Sequence, residues 1–201
     1  KVLPFNEAIF DVTLIIALGG DGSILHIAKQ AAYHNIPVLG INVGNVGYMA
    51  GLECDEIDML PEIIGGKYNV EARMMLDVFV KKGEEIVYQT AVLNDAVIAK
   101  KDNIKIIDFD IYADNSFISH YRGDGVILAS PTGSTAYSMS AGGSVLDPIT
   151  ENIMITPICS HSLTTKPIVL SPDRTINVDI KTPDKDVISL LVDGREAMTL
   201  N

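Results

Sequence analysis

The first strong pattern along the chain is an apolar run, Val12 to Leu18 (VTLIIAL), bounded by Asp11 and by Gly19-Gly20. A run without polar alternation predicts a strand covered on both faces, as in a parallel sheet. After Ser23, a suitable helix N-cap, Ile24, Ile27, Ala28 and Ala31 recur at i, i+3, i+4 and i+7, while His26, Lys29, Gln30 and Tyr33 fall on the other side. That spacing predicts an amphipathic helix. Pro37 closes the connection, and Val38 to Asn42 (VLGIN) forms a second apolar strand. The three elements make a strand, helix, strand unit of the size of a right-handed crossover. Asp55 to Ile64 reads as another helix, stopped by Gly65-Gly66.

Beyond about Tyr68 periods of two replace the helical period. Ile107, Phe109 and Ile111 alternate with Asp108, Asp110 and Tyr112, and Ile176, Val178 and Ile180 alternate with polar residues. Gly83-Glu84 and Asp114-Asn115 read as hairpin turns. A short helix is expected near Ser134 to Ser140. The expected fold is therefore α+β: an α/β domain over residues 1–68 and a β-rich, antiparallel, sandwich-like domain over residues 69–201, with a soft boundary and no linker between them.

With 201 residues, 47% hydrophobic, the chain can bury a sizeable core, which excludes disorder. A net charge of −11 disfavours nucleic acid and anionic membrane surfaces as partners. A phosphate-bearing ligand would have to be held by backbone amides, helix ends and a metal ion, because no Lys/Arg-rich segment exists. The two cysteines, Cys54 and Cys159, lie far apart, so neither a disulfide framework nor a zinc site is indicated, and a reducing compartment fits best. His26, His34, His120 and His161 are too scattered to form a metal site. No apolar run approaches the roughly 20 residues of a membrane span, and no signal peptide is evident, so a cytoplasmic location is expected.

Four segments carry candidate chemistry. Gly19-Gly20-Asp21-Gly22-Ser23 lies where the first strand turns into the helix, at the carboxyl edge where open α/β sheets bind ligands. An ordinary turn with Asp21 as a cap also explains these residues. Beside phosphates, however, a carboxylate is repelled unless it binds a metal or takes a proton from a nucleophile. A second glycine cluster, Gly40, Gly44, Gly47 and Gly51, interleaves with Asn42, Asn45 and Tyr48. It is either tight packing or a ligand edge with Tyr48 and Met49 as an apolar wall. The third segment, Arg122 to Gly143, runs from an apolar strand into the hydroxyl-rich turn SPTGSTAYSMS, which suits a polar, uncharged or sugar-like group. Asn94-Asp95 interrupts the apolar stretch AVLNDAVIA, as a bulge or edge turn or as a ligand-reading pair.

Taken together, DVTLIIALGGDGS, NVGNVGYMAGL, LNDAVI, RGDGVILASPTGSTAYSMSAGG and ITPICSHSLTTKPIVLS resemble the NAD kinase family, in the right order and over nearly the whole chain. The resemblance implies Mg²⁺-dependent transfer of the terminal phosphoryl group of ATP or polyphosphate to the 2′-hydroxyl of the adenosine ribose of NAD, giving NADP. It further implies dinucleotide bound between the two domains and between subunits of a homodimer or homotetramer. By position, Asp21 corresponds to the catalytic aspartate and Gly20 and Gly22 to its phosphate-binding turn. Tyr48 and Met49 correspond to the pair beside the dinucleotide, and Asn94 and Asp95 to the motif contacting adenine and ribose. Asp124 corresponds to the acid on the nicotinamide riboside side, often in a neighbouring subunit. Thr132, Thr135, Ala136, Tyr137 and Ser140 correspond to the turn cradling adenine and nicotinamide.

Departures from the pattern are Tyr48, where Phe is commoner, and Ser160, where Pro is usual. Family members ordinarily carry several dozen residues before the first strand and a further β segment after Asp193-Gly194, so the chain is expected to be truncated. On this reading Asp21→Asn lowers turnover sharply while leaving NAD affinity within a few-fold. Lipid kinases and phosphofructokinases share the Gly-Gly-Asp-Gly turn. The Asn94-Asp95 pair and the hydroxyl-rich turn argue against an acyl-chain mouth, and no arginine set exists to hold a sugar phosphate. A non-catalytic dinucleotide sensor is the competitor from a different class, and retention of Asp21 argues against it.

Overall fold

A computed structural model of the chain describes residues 4–44, 47–101, 106–162, 165–182 and 188–200. The chain divides into two compact units, Lys1–Ala72 and Arg73–Asn201.

In the first unit a short helix α1 (Phe5–Ala8) is followed by β1 (Ile15–Leu18), α2 (Asp21–Tyr33), β2 (Val38–Asn42) and β3 (Leu52–Glu53), whose strands form a parallel sheet in sequence order. Strand β1 is shorter than its apolar run. Val12 still ends the preceding 3₁₀ turn, and pairing begins at Ile15, opposite Val38. Cover is also less complete than the run predicts. Ala17 is buried next to Gly40, which packs on Ile24 of α2, but Ile16 and Leu18 on the alternate face are 38% and 63% exposed. On that face Ile41, Leu52 and Ile63 form a small cluster with Leu14 and Leu39.

Helix α2 starts two residues before Ser23, with extended Gly20 as its cap and no side-chain capping bond. Its apolar stripe buries Ile24 and Ala31, as the spacing predicts. The segment expected as one helix over 55–64 is a 3₁₀ turn, Cys54–Met59, followed by α3 (Leu60–Ile64). Pro61 at the junction lacks the N–H that a continuous ladder would need.

The second unit contains β4 (Leu76–Lys82), β5 (Glu85–Val92), β6 (Asp95–Lys100), β7 (Ile107–Ala113), β8 (Ser116–Gly123), β9 (Gly125–Ala129), α4 (Tyr137–Ser140), β10 (Ile153–Ile158), β11 (Ile168–Leu170), β12 (Ile176–Ile180), β13 (Ile188–Val192) and β14 (Arg195–Thr199). A six-stranded sheet, β11-β10-β9-β6-β13-β14, faces a three-stranded one, β12-β7-β8, with β4-β5 as a hairpin. Among the described residues every strand pair in this unit is antiparallel. The period-two reading of 107–113 holds: Ile107, Phe109 and Ile111 point inward and pack against Ala96, Ile98, Val126 and Ile188 of the larger sheet. Each such fully buried side chain contributes about 1.5–3 kcal/mol. Phe109 and Tyr121 meet edge to face at 5.8 Å.

The stretch AVLNDAVIA is two strands and a corner. Strand β5 ends at Val92 and β6 begins at Asp95 in a different sheet, leaving Leu93 and Asn94 at the bend.

Candidate functional site

In the first unit Asp21 opens α2 immediately after β1, and its carboxylate is already engaged. Oδ2 accepts the Tyr48 N–H at 2.9 Å and Oδ1 accepts the Met49 N–H at 3.1 Å. A Cβ on Gly47 would stand 2.4 Å from Asp21 Oδ1, so glycine there is what lets the loop close onto the carboxylate. Asn42, which unlike Asp21 is buried, donates to Glu53 at 2.9 Å and accepts from the Gly44 N–H at 3.2 Å. Tyr48 leaves its ring exposed. Gly20 and Gly22 border open space, with nothing within 4 Å of a Cβ built on either. Asn45, which the sequence placed in the same loop, lies outside the described residues. An ionised carboxylate oxygen can accept two hydrogen bonds, so each oxygen of Asp21 retains acceptor capacity for a ligand hydroxyl.

In the second unit the β5–β6 corner has its backbone polar groups accounted for. Asp193 accepts the N–H groups of Leu93 (3.1 Å), Asn94 (2.7 Å) and Asp95 (3.3 Å). On the acceptor side, the Ser130 N–H donates to Asn94 O at 2.9 Å and the Ser130 hydroxyl to Leu93 O. The Gly133 N–H in turn donates to Ser130 Oγ at 3.1 Å, tying the turn after β9 to the corner. Two side-chain atoms here are buried without a partner, Asn94 Oδ1 and Thr132 Oγ1. Buried polar atoms ordinarily find partners, so this pair on interlocked turns retains bonding capacity that the chain's own groups do not use.

The turn after β9 divides its hydroxyls between two uses. Ser134 Oγ donates to Pro131 O and accepts from the Leu146 N–H, Thr135 Oγ1 donates to Thr132 O at 3.2 Å, and buried Ser138 bonds Thr156 at 2.8 Å. These bonds build the turn. The hydroxyl density read from sequence is therefore partly structural, and Thr132, Tyr137 and Ser140 hold the groups the turn does not consume. Ala136, with φ −93° and ψ −129°, separates the 3₁₀ turn Thr132–Thr135 from α4, which is why a single helix over 134–140 does not form. Tyr137 lines an open groove of about 340 Å³ floored by Val97, Ala99 and Leu191 and edged by Lys100 and Lys101.

Asp124 is not brought to the corner. Asp95 pairs with Ala129 at one end of the β6–β9 ladder and Ala99 with Gly125 at the other, so Asp124 sits a strand length away, roughly 15 Å. It forms an ion pair with Lys100 at 2.6 Å. Among the described residues no cluster of three or more His, Cys, Asp or Glu side chains could hold a metal ion. No described helix is long and apolar enough to cross a membrane.

Burial, and secondarily the charge of Asp193, push the Asp95 carboxyl up to about 7. Since the folded state holds this proton more tightly than the unfolded chain, the ionised group costs stability. The cost is absent below the ordinary carboxylate range, grows as pH rises from about 4 to about 7 at about 1.4 kcal/mol per pH unit, and is constant above. Asp95→Asn should match the parent in unfolding free energy near pH 4 and exceed it by a few kcal/mol at pH 8. Denaturant titrations of the unliganded protein at both pH values check this, and a pH-independent difference would refute it.

Asp193 is the residue that sequence reasoning passed over. Its signal was the Asp-Gly pair between two strand-like runs, a two-residue hairpin turn.

Residues 4–68 match the family model of the ATP-NAD kinase N-terminal domain and residues 93–201 that of the ATP-NAD kinase C-terminal domain. The chain belongs to the NAD kinase family. It is 44% identical over 186 residues to the NAD kinase of Syntrophobacter fumaroxidans, covering 92% of this chain and 65% of that relative. It is 41% identical over 197 residues to the NAD kinase of Carboxydothermus hydrogenoformans, covering 98% and 70%. The chain thus spans about two thirds of the length of these curated relatives. Among solved structures, yeast NADH kinase complexed with NADH superposes with a TM-score of 0.88 at 32% identity, over 99% of this chain and 58% of that one. An NAD kinase from Archaeoglobus fulgidus in complex with ATP gives 0.80 at 26% identity, over 100% and 75%. For the family, the α/β first unit and the β-rich second unit are the expected architecture, as read from sequence.

Proposed function

We propose that this chain carries the catalytic groups of an NAD kinase that moves the terminal phosphoryl group of Mg-ATP, or of polyphosphate, to the 2′-hydroxyl of the adenosine ribose of NAD. The observation that carries the reading is the pair of buried, unpartnered polar atoms, Asn94 Oδ1 and Thr132 Oγ1, next to a carboxyl whose burial favours its proton. An amide oxygen, a hydroxyl and an Asp95 carboxyl able to donate or accept suit the exocyclic amine of adenine and the hydroxyls of a ribose.

In the reaction, the ribose 2′-oxygen attacks the γ-phosphorus, the bond from that phosphorus to the bridging oxygen breaks, and ADP leaves. Asp21 takes the hydroxyl proton, using the acceptor capacity that the Tyr48 and Met49 amides leave free. Gly20 and Gly22 leave open space for the phosphates, and the free amides at the start of α2 favour their charge. Magnesium enters with the nucleotide as part of the substrate and neutralises the triphosphate, which this acidic chain has few cations to do. Tyr48 and Met49 wall the dinucleotide, Thr135 and Ala136 shape the turn, and Tyr137 and Ser140 offer an exposed ring and hydroxyl. Asp124, a strand length from the corner, serves the nicotinamide riboside of a dinucleotide held by a neighbouring subunit. The acting form is accordingly a homodimer or homotetramer, and the two-thiol composition suits the cytoplasm.

The test is formation of NADP from NAD and Mg-ATP, followed with an NADP-specific dehydrogenase, with polyphosphate in parallel. NADP formation supports the reading. Saturable NAD binding without NADP would mean a sensor, and neither signal would reject the family's chemistry for this chain. A monomeric mass by light scattering at micromolar concentration would overturn the oligomer.

A further inference from the structure

The β5–β6 corner depends on a residue almost a hundred positions later in the chain. Asp193 and Gly194 form the two-residue turn between β13 and β14, with φ of 46° and 76°. Both central residues of such a turn lie in the left-handed region, which Asp, Asn and Gly tolerate. Asn is at least as good a turn former as Asp, so the turn alone does not demand a carboxylate. Three converging N–H groups, those of Leu93, Asn94 and Asp95, do demand one, because an ionised carboxylate offers acceptors only, whereas an amide would turn an NH₂ toward one of the donors. The Asp193 N–H returns a bond to Asp95 O at 3.0 Å, and Val192 pairs with Ala96, so the turn and the corner are locked in register.

Donors satisfied by Asp193 and acceptors satisfied by Ser130 leave the corner's backbone with no call on its own side chains. An Asn at a bend ordinarily folds back onto nearby backbone. Here Asn94 Oδ1 is left unpartnered although the residue is buried.

We propose that Asp193 is a positioning residue for dinucleotide recognition: by taking the three corner N–H groups it fixes the backbone from which Asn94 and Asp95 present their side chains to the adenosine. This rests on the proposed reading of Asn94 and Asp95 as the nucleoside-contacting pair. Asp193 itself touches no substrate in this role.

The test is a double-mutant cycle on the protein with NAD as the probe, reading affinity by calorimetry and stability by thermal unfolding for the parent, Asp193→Asn, Asn94→Ala and the double variant. Asp193→Asn is expected to weaken NAD binding about ten- to a hundredfold, because the corner relaxes in the free protein to relieve its unsatisfied donor and binding must restore the original geometry. With Asn94→Ala already in place it should weaken binding several-fold less than in the parent background, the remaining loss acting through Asp95, while its effect on the unfolding temperature stays the same in both backgrounds. If Asp193→Asn does not fold, Asp193→Ser, a shorter acceptor, takes its place in the cycle. Equal losses of affinity in the two backgrounds, or none in the parent background, overturn the inference while leaving the dinucleotide reading standing. A parent that binds no NAD overturns both.

Discussion

Asp21→Asn is expected to lower NADP formation by about a hundred- to ten-thousandfold, the range a positioned general base contributes. It should also weaken NAD binding about tenfold, more than the few-fold that a purely catalytic role would allow. The extra loss comes from the second task the structure gives this carboxylate. Oδ1 and Oδ2 each hold one backbone N–H of the Tyr48-Met49 loop. Asparagine can accept only one of these, and its NH₂ must face the other donor, so one loop N–H is released to solvent and the loop loses one of its two ties to Asp21. Tyr48 and Met49, proposed to wall the dinucleotide, would lose their anchor with it. Single-turnover kinetics separate the two effects from each other, since the chemical step and the binding step are read independently. Turnover within tenfold of the parent would remove Asp21 from the mechanism. Unchanged NAD affinity would instead show that the loop keeps its place without the carboxylate.

That double role illustrates how far local pattern carries and where it stops. Elements fixed by short-range periodicity were legible: α2 through its stripe at Ile24 and Ala31, and β7 through the alternation of Ile107, Phe109 and Ile111. Boundaries set by tertiary partners were not. Strand β1 is cut to Ile15–Leu18 because β2 offers partners only from Val38 onward, and AVLNDAVIA bends at Asn94 because its halves belong to different sheets.

The candidate site behaves likewise. Asn94, Asp95 and Thr132 stand out in sequence as polar groups in or beside apolar segments, and the structure places them on two interlocked turns. Asp193 carries no local anomaly beyond a common turn pair, and its contacts lie 98 to 100 residues away. Nor could sequence tell which hydroxyls of the SPTGSTAYSMS turn are consumed internally. Ser134 and Ser138 look no different from Ser140 until Leu146 and Thr156 are seen beside them.

Gly133→Ala is expected to damage stability and recognition together. A Cβ at this position would lie 2.0 Å from the Asn94 carbonyl oxygen, 2.4 Å from its carbon and 2.7 Å from its Cα. All three are backbone atoms, so no rotamer change relieves the overlap and one of the two turns must move. Forced overpacking of this kind costs about 1–3 kcal/mol, which for a chain of this length is a fall of roughly 2–4 °C in unfolding temperature per kcal/mol. The displacement acts directly on the bonds that hold the corner, Ser130 N–H to Asn94 O and Gly133 N–H to Ser130 Oγ. Asn94 Oδ1 and Thr132 Oγ1 sit on opposite sides of that contact in the chain, so their spacing changes with it. NAD affinity of the folded protein should fall at least about thirtyfold, near 2 kcal/mol. Calorimetry well below the unfolding temperature distinguishes this from simple destabilisation, because a variant that merely unfolds more readily loses binding stoichiometry while its folded fraction keeps the parent's affinity. Parent-like affinity in folded Gly133→Ala would mean that the spacing of Asn94 and Thr132 does not matter to the ligand, and the buried unpartnered pair would then lose its standing as the recognition element.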